Sequence, residues 1–293
     1  MSKLARVIYA PKPRMIVGEG PVWDERTQTL YCVDIERMEL HSCDADGSRA
    51  HVVGLGERLG SLALRQRGPG FIAGLEHRIG LLTLNPLSIE TLATPEADQP
   101  ANSSNDGKCD LEGRFWVGTL HKPEQAATGW LYRIDPDGST TRTAGPFICV
   151  NGPEFSPDGK LLYCVDSYGK TIYSYEMDER GNLSQRRVFV TFEDPSWGFP
   201  DGLTCDVEAC LWVAHWGGSR VSRFSPSGRL LESIELPASQ VTSCTFGGPD
   251  LRRLFVTSAS MGLDLSSTPQ SLDGALFAVD LDVGGFATRR YAG

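Results

Sequence analysis

At 293 residues, with 40% hydrophobic and 22% charged side chains, the chain has ordinary globular composition and enough apolar mass for a sizeable core, which excludes disorder of the whole chain. A formal charge of −9, with no Lys/Arg cluster longer than a pair, argues against nucleic acid or an anionic membrane surface as a partner. The opening stretch 1–10 has no long apolar core before a small-residue cleavage site, and no apolar run approaches bilayer-spanning length, so a soluble, cytoplasmic protein is expected.

In chain order, the first recognisable unit is Gly18-Glu19-Gly20-Pro21-Val22-Trp23-Asp24, followed by the strand-like run Leu30-Tyr31-Cys32-Val33-Asp34-Ile35. Variants of this unit recur. A second copy opens at Leu59 and runs through Gly70-Phe71-Ile72-Ala73-Gly74. A third opens at Asn105-Asp106-Gly107-Lys108 and reaches Phe115-Trp116-Val117-Gly118, and a fourth opens at Asn151-Gly152-Pro153 and reaches Leu162-Tyr163-Cys164-Val165-Asp166. A fifth opens at Asp201-Gly202-Leu203 before Leu211-Trp212-Val213-Ala214, and a sixth at Thr242-Ser243-Cys244 before Leu254-Phe255-Val256-Thr257. The openers recur every 40 to 50 residues, the length of one propeller blade, so the expected fold is all-β: a six-bladed β-propeller formed by 1–293 as a single domain.

Within the copies, Asp135-Pro136-Asp137-Gly138, Ser156-Pro157-Asp158-Gly159 and Ser225-Pro226-Ser227-Gly228 carry the residues that hairpin turns demand, with glycine where positive φ is needed. Arg6-Val7-Ile8-Tyr9 is expected to close the ring as the outer strand of the last blade, beside Phe286-Ala287-Thr288-Arg289-Arg290. Cys32, Cys109, Cys164, Cys205 and Cys244, among eight cysteines, sit in apolar strand patterns with no zinc-type spacing, and are expected as reduced, buried thiols. Trp116 and Trp212 read as core, His121 and His215 as rim or packing histidines, and Trp197, His215 and Trp216 as flat surfaces that could meet a ring.

Radial repetition carries equivalent positions to equal radius, so Glu19, Asn105, Asn151 and Asp201 are expected at one mouth of the central channel. Two carboxylates brought together resist ionisation unless a cation lies between them, and asparagine carbonyls add neutral oxygen ligands. The set reads as a divalent metal site open to Ca, Mg or Mn, and also to Zn or Fe(II). No Gly-x-Ser-x-Gly elbow exists, which argues against a covalent serine mechanism.

Gly18-Glu19-Gly20-Pro21-Val22-Trp23, Asn105-Asp106-Gly107-Lys108, Gly113-Arg114-Phe115-Trp116-Val117-Gly118-Thr119, Asn151-Gly152-Pro153, Pro200-Asp201-Gly202-Leu203, Thr242-Ser243-Cys244-Thr245-Phe246-Gly247-Gly248 and Tyr291-Ala292-Gly293 occur in an order that resembles the senescence marker protein (regucalcin), gluconolactonase and luciferin-regenerating family over essentially the whole chain. That resemblance implies a single divalent metal held by Glu19, Asn151 and Asp201, with Asn105 at the metal or substrate, and hydrolysis of a small-molecule sugar lactone. Asp201 is the candidate general base, while Asn105, Ser103, Asp106, Glu124 and His121 are the candidate substrate contacts. Ser103 stands where related members carry an arginine, and Pro123 where they carry a glutamate, with Glu124 its nearest candidate. Two alternatives stay open: a metal-binding regulatory or interaction propeller without turnover, and a hydrolase of another ester at the same metal.

Overall fold

The computed structural model describes residues 4–268 and 271–293; the first three residues of the opening stretch read above lie outside it. Apart from one short 3-10 turn, Pro195–Trp197, its regular elements are strands. No helix among the described residues is long and apolar enough to cross a membrane.

Sixteen of the strands form four antiparallel meanders, each four strands wide, which is the construction of a propeller blade. Gly18–Asp24, Thr29–Asp34, Glu39–Cys43 and His51–Gly54 make the first sheet. Leu59–Leu64, Phe71–Leu75, Ile79–Leu84 and Leu87–Ala93 make the second, Asn102–Cys109 to Thr140–Phe147 the third, and Val150–Phe155 to Leu183–Thr191 the fourth. Six separate blades were expected, but only these four are separate. The remaining eight strands are hydrogen-bonded into one sheet, because Trp216 at the end of Leu211–Trp216 pairs with Gln240 at the start of Gln240–Gly247.

Chain contacts divide the molecule into two compact units, Met1–Arg58 with Phe192–Thr288, and Leu59–Thr191 with Arg289–Gly293. In the first, Trp23 stacks on Phe255 at 5.5 Å, and Trp212 packs among Val241, Cys244, Phe246 and Leu254. In the second, Trp116 meets Phe155 edge-on at 5.9 Å, and Val117, Phe115 and Ile134 pack with Ile72 and Tyr291. Trp116 and Trp212 are fully buried, and all eight cysteines are buried and free, as their apolar neighbours dictate.

The local turn chemistry is where the residue types require it. Gly138, Gly159 and Gly228 donate their N–H groups to the carbonyls of Asp135, Ser156 and Ser225, with φ of +83°, +71° and +79°. The N-terminal closure differs in its partner. Arg6–Tyr9 is indeed an edge strand, but it pairs with Leu276–Asp280, whose outer backbone edge needs hydrogen bonds, and Phe286–Arg290 forms no strand. The chain end is held instead by Tyr291, whose N–H donates to Leu64 O and whose carbonyl accepts from Gln66 N.

A buried aspartate recurs at the end of the opening strands. Asp206 is fully buried and accepts from Glu208 N, Cys210 N, Trp212 Nε1 and Arg223 Nε, while Asp110 accepts from Glu112 N, Arg114 N, Arg114 Nε and Trp116 Nε1. Each carboxylate thus pins a hairpin, the core tryptophan of the next strand and an arginine in one network.

Candidate active site

The opening positions share a backbone irregularity that periodicity alone does not reveal. Strand register slips between Glu19 and Val22, between Ser104 and Gly107, between Asn151 and Glu154, and between Pro200 and Leu203. A bulge of this kind bends the strand and re-aims the side chains beside it. Glycine makes two of the bulges possible, since Gly20 and Gly152 sit at φ +51° and +71°. Glu19, Asn105, Asn151 and Asp201 are each placed at such a bulge and are 5 to 8% exposed.

Glu19 and Asp201 belong to the first unit, where Gln240–Gly247 is packed by both of their strands. Thr242 donates its hydroxyl to Gly18 O at 2.6 Å, and a Cβ added at Gly202 would lie 2.0 Å from Ser243 Oγ. The Asp-Gly pair therefore permits a backbone approach that no other residue allows. The Glu19 carboxylate accepts from Gly20 N–H.

Asn105 and Asn151 belong to the second unit and touch directly. Asn105 Nδ2 donates to Asn151 Oδ1 at 2.8 Å and to Val150 O at 2.9 Å. Asn151 Nδ2 donates to Ser167 Oγ at 3.0 Å, and the Cys149 thiol lies 3.5 Å from Asn105 Nδ2 and 3.7 Å from Asn151 Nδ2.

The other candidates of the second unit divide by depth. Ser103 is buried and donates its hydroxyl to Ser104 O, and Asp106 is buried with Oδ1 accepting from Gly107 N. Burial pushes the Asp106 carboxyl up to about 7, against the pull of the Lys108 ammonium, which is itself paired with Glu154 at 2.9 Å. His121 and Glu124 lie nearer solvent. His121 Nδ1 accepts from Gln125 N and Ala126 N, which fixes the ring's proton on Nε2 when neutral, and Glu124 holds φ +58° while its carboxylate accepts from the Tyr168 hydroxyl. Burial, and then the bond to Glu124 and its charge, raise the Tyr168 phenol above its ordinary value.

Cys149, Ser167 and Tyr168 were not singled out by sequence reasoning. Ser167 and Tyr168 follow the Cys-Val-Asp run of the fourth copy, so the strand end was the available signal. A further carboxylate and imidazole group, Asp34, Glu39 and His41, has ligand atoms within 4.8 Å of one another. Its bonds are internal: Asp34 accepts from Ile16, Val17 and Arg37 N–H groups, and the His41 nitrogens face Tyr9 and Glu39.

His215 is a packing residue. It is fully buried, 4.4 Å from the Phe192 ring and 5.7 Å from Trp197, with Nδ1 on Trp197 O. It presents no surface to a ligand, and burial pushes its imidazole down to about 4. The ordinary value is about 6.5, so below that pH the unfolded chain binds a proton that the folded protein refuses, and stability falls as pH drops from about 6.5 toward 4. Between pH 7.5 and 5 this group is expected to contribute about 2 kcal/mol of lost stability. Urea melts at the two pH values check it: His215→Phe should flatten the dependence by that amount, and an unchanged slope would refute the assignment.

A family model described as the SMP-30/gluconolactonase/LRE-like region matches residues 17–260. The chain belongs to this family. It is 37% identical to a 6-deoxy-6-sulfogluconolactonase of Pseudomonas putida, over 95% of this chain and 96% of that protein. It is 35% identical to the regucalcin of Xenopus laevis, over 94% and 95%. Among solved structures, a luciferin-regenerating enzyme superimposes with a TM-score of 0.92 at 33% identity over 100% of both chains. A calcium-binding regucalcin of Agrobacterium tumefaciens gives 0.91 at 29%, over 100% of this chain and 99% of that one. The family match covers Glu19, Asn105, Asn151 and Asp201.

Proposed function

We propose that this family member is a metal-dependent sugar lactonase, a hydrolase of carboxylic ester bonds that opens an aldonolactone of pentono or hexono size to the aldonic acid. In this reading 1–293 is a single domain, and the eight-stranded sheet serves as two blades of a six-bladed ring. Glu19, Asn151 and Asp201 hold one divalent cation. Asn105, Ser103, Asp106, Glu124 and His121 meet the substrate.

The observation that carries the reading is the set of oxygen-bearing side chains at four bulged strand openings, two carboxylates and two carboxamides, all more than nine-tenths buried. A buried carboxylate needs a cationic or hydrogen-bonding partner, and the donor set is oxygen only, which suits a hard divalent cation. The naming of relatives as a sulfogluconolactonase and as a calcium-binding regucalcin supports both halves of the reading.

When bound, such a cation polarises a carbonyl and offsets the negative charge that hydrolysis develops on its oxygen. Asp201 accepts a proton from the attacking water as the water oxygen bonds to the lactone carbonyl carbon. The ring C–O bond then breaks, and Asp201 returns the proton to the departing ring oxygen. Asn105 orients the lactone, and Glu124, held by Tyr168, accepts from a substrate hydroxyl. His121 Nε2–H offers a donor at the same rim. With Ser103 in place of an arginine, the substrate loses a forked, charged donor, so selectivity rests on these rim groups.

The test is a pH-indicator hydrolysis screen over pentono- and hexonolactones and 6-deoxy-6-sulfogluconolactone, on chelator-stripped protein with each of Ca, Mg, Mn, Zn and Fe(II) restored. Turnover of at least one lactone that vanishes on stripping and returns with a cation is expected. Cation binding without turnover of any lactone would favour the non-catalytic regulatory reading, and turnover indifferent to chelation would refute metal dependence.

A further inference from the structure

We propose that Ser167 is a positioning residue, which sets the orientation of the Asn151 carboxamide and, through it, which atoms the paired asparagines offer to a ligand. The inference rests on the reading of Asn151 as a cation ligand and deepens it. One atom of the cluster can only accept. Val150 O is a carbonyl oxygen 2.9 Å from Asn105 Nδ2, so the Asn105 nitrogen must be the atom facing it. The same nitrogen is 2.8 Å from the Asn151 side chain, which must therefore turn its oxygen, an acceptor, toward Asn105.

Turning Oδ1 toward Asn105 leaves Asn151 Nδ2 facing the other way, in a buried place, and a buried amide N–H without a partner is costly. Ser167 Oγ meets it at 3.0 Å, with Cys149 Sγ as a weaker second acceptor at 3.7 Å. Ser167 is itself buried, and its N–H donates to Cys149 O, so the hydroxyl is carried on anchored backbone. The chain Val150 O, Asn105, Asn151, Ser167 is thus a directed relay of amide dipoles. One lone pair of Asn151 Oδ1 stays available, because a carbonyl oxygen carries two and Asn105 uses one. A rotated Asn151 amide would set two NH2 groups against each other and present nitrogen where the cation needs oxygen.

The measurements are calcium titration calorimetry, the melting temperature of chelator-stripped protein, and the side-chain 15N–1H amide resonances of Asn151, on wild type, Ser167→Ala and Ser167→Thr. Outer partners of metal ligands typically change affinity by about 10–100-fold when removed. Ser167→Ala should weaken calcium binding at least about tenfold and shift the Asn151 amide resonances, with the stripped melting temperature within a few degrees of wild type, and Ser167→Thr, which keeps the hydroxyl, should restore both. In an Asn151→Ala background, Ser167→Ala should add nothing. Wild-type affinity and unshifted Asn151 resonances in Ser167→Ala, or an equal further loss in the Asn151→Ala background, would overturn the proposal. If wild type itself binds no divalent cation, the ligand reading fails, and the Asn151 resonances of the stripped proteins still decide whether Ser167 sets the carboxamide.

Discussion

Asp201→Ala is expected to lower kcat/KM on the responsive lactone by about a thousandfold or more, the scale on which a general base and an electrostatic stabiliser are removed together. The same substitution should reduce bound divalent metal, because Asp201 has both assignments. Glu19→Ala and Asn151→Ala should lose metal and activity in step, whereas Glu112→Ala, in the exposed turn after Asp110, should change neither. Asp201→Asn separates the two roles: it keeps an oxygen for the cation but cannot accept the proton, so metal content should fall less than turnover. Metal analysis by mass spectrometry beside steady-state kinetics is the check. Normal metal content in all three alanine variants would reject the constellation, and normal turnover in Asp201→Asn would reject the base.

The largest effect on stability is expected away from these positions, at Asp206. Its carboxylate is fully buried and satisfies two backbone N–H groups, the Trp212 indole and the Arg223 guanidinium. Removing one partner of a buried ion pair costs about 3–5 kcal/mol, because the remaining charge keeps its desolvation penalty without its compensation. Arg223, with 12% of its side chain exposed, keeps its pairing to the exposed Glu208 at 2.7 Å, but its Nε–H, the Trp212 indole N–H and the two backbone N–H groups lose a buried acceptor that water replaces poorly. Asp206→Ala should therefore lower the unfolding free energy by about 4 kcal/mol. Asp206→Asn, which keeps acceptors for part of the network, should fall between. The same change at Asp110, with its pairing to Arg114 and Trp116, should be of similar size, since the device is repeated. Urea unfolding followed by tryptophan fluorescence measures it, and a loss under about 1 kcal/mol at both positions would show that water or a neighbouring acceptor takes over.

Sequence alone determined the features whose causes are local. Turns at 135–138, 156–159 and 225–228 follow from proline and glycine at set positions, and the burial of Trp116 and Trp212 follows from apolar neighbours at strand spacing. The oxygen-bearing openers were legible too, because the repeat places them at one register. Tertiary structure decided what depends on atoms brought together from distant parts of the chain. Arg6–Tyr9 chose Leu276–Asp280 because an unpaired strand edge lay there, and the Trp216–Gln240 pairing merged two strand groups that the repeat counts separately. His215 reads the same as any rim histidine until the Phe192 ring covers it, and Ser167 is an ordinary strand-end serine until its hydroxyl meets the Asn151 amide. A hydrogen bond is fixed by distance and direction to within a few tenths of an ångström, and residue types along a chain carry neither.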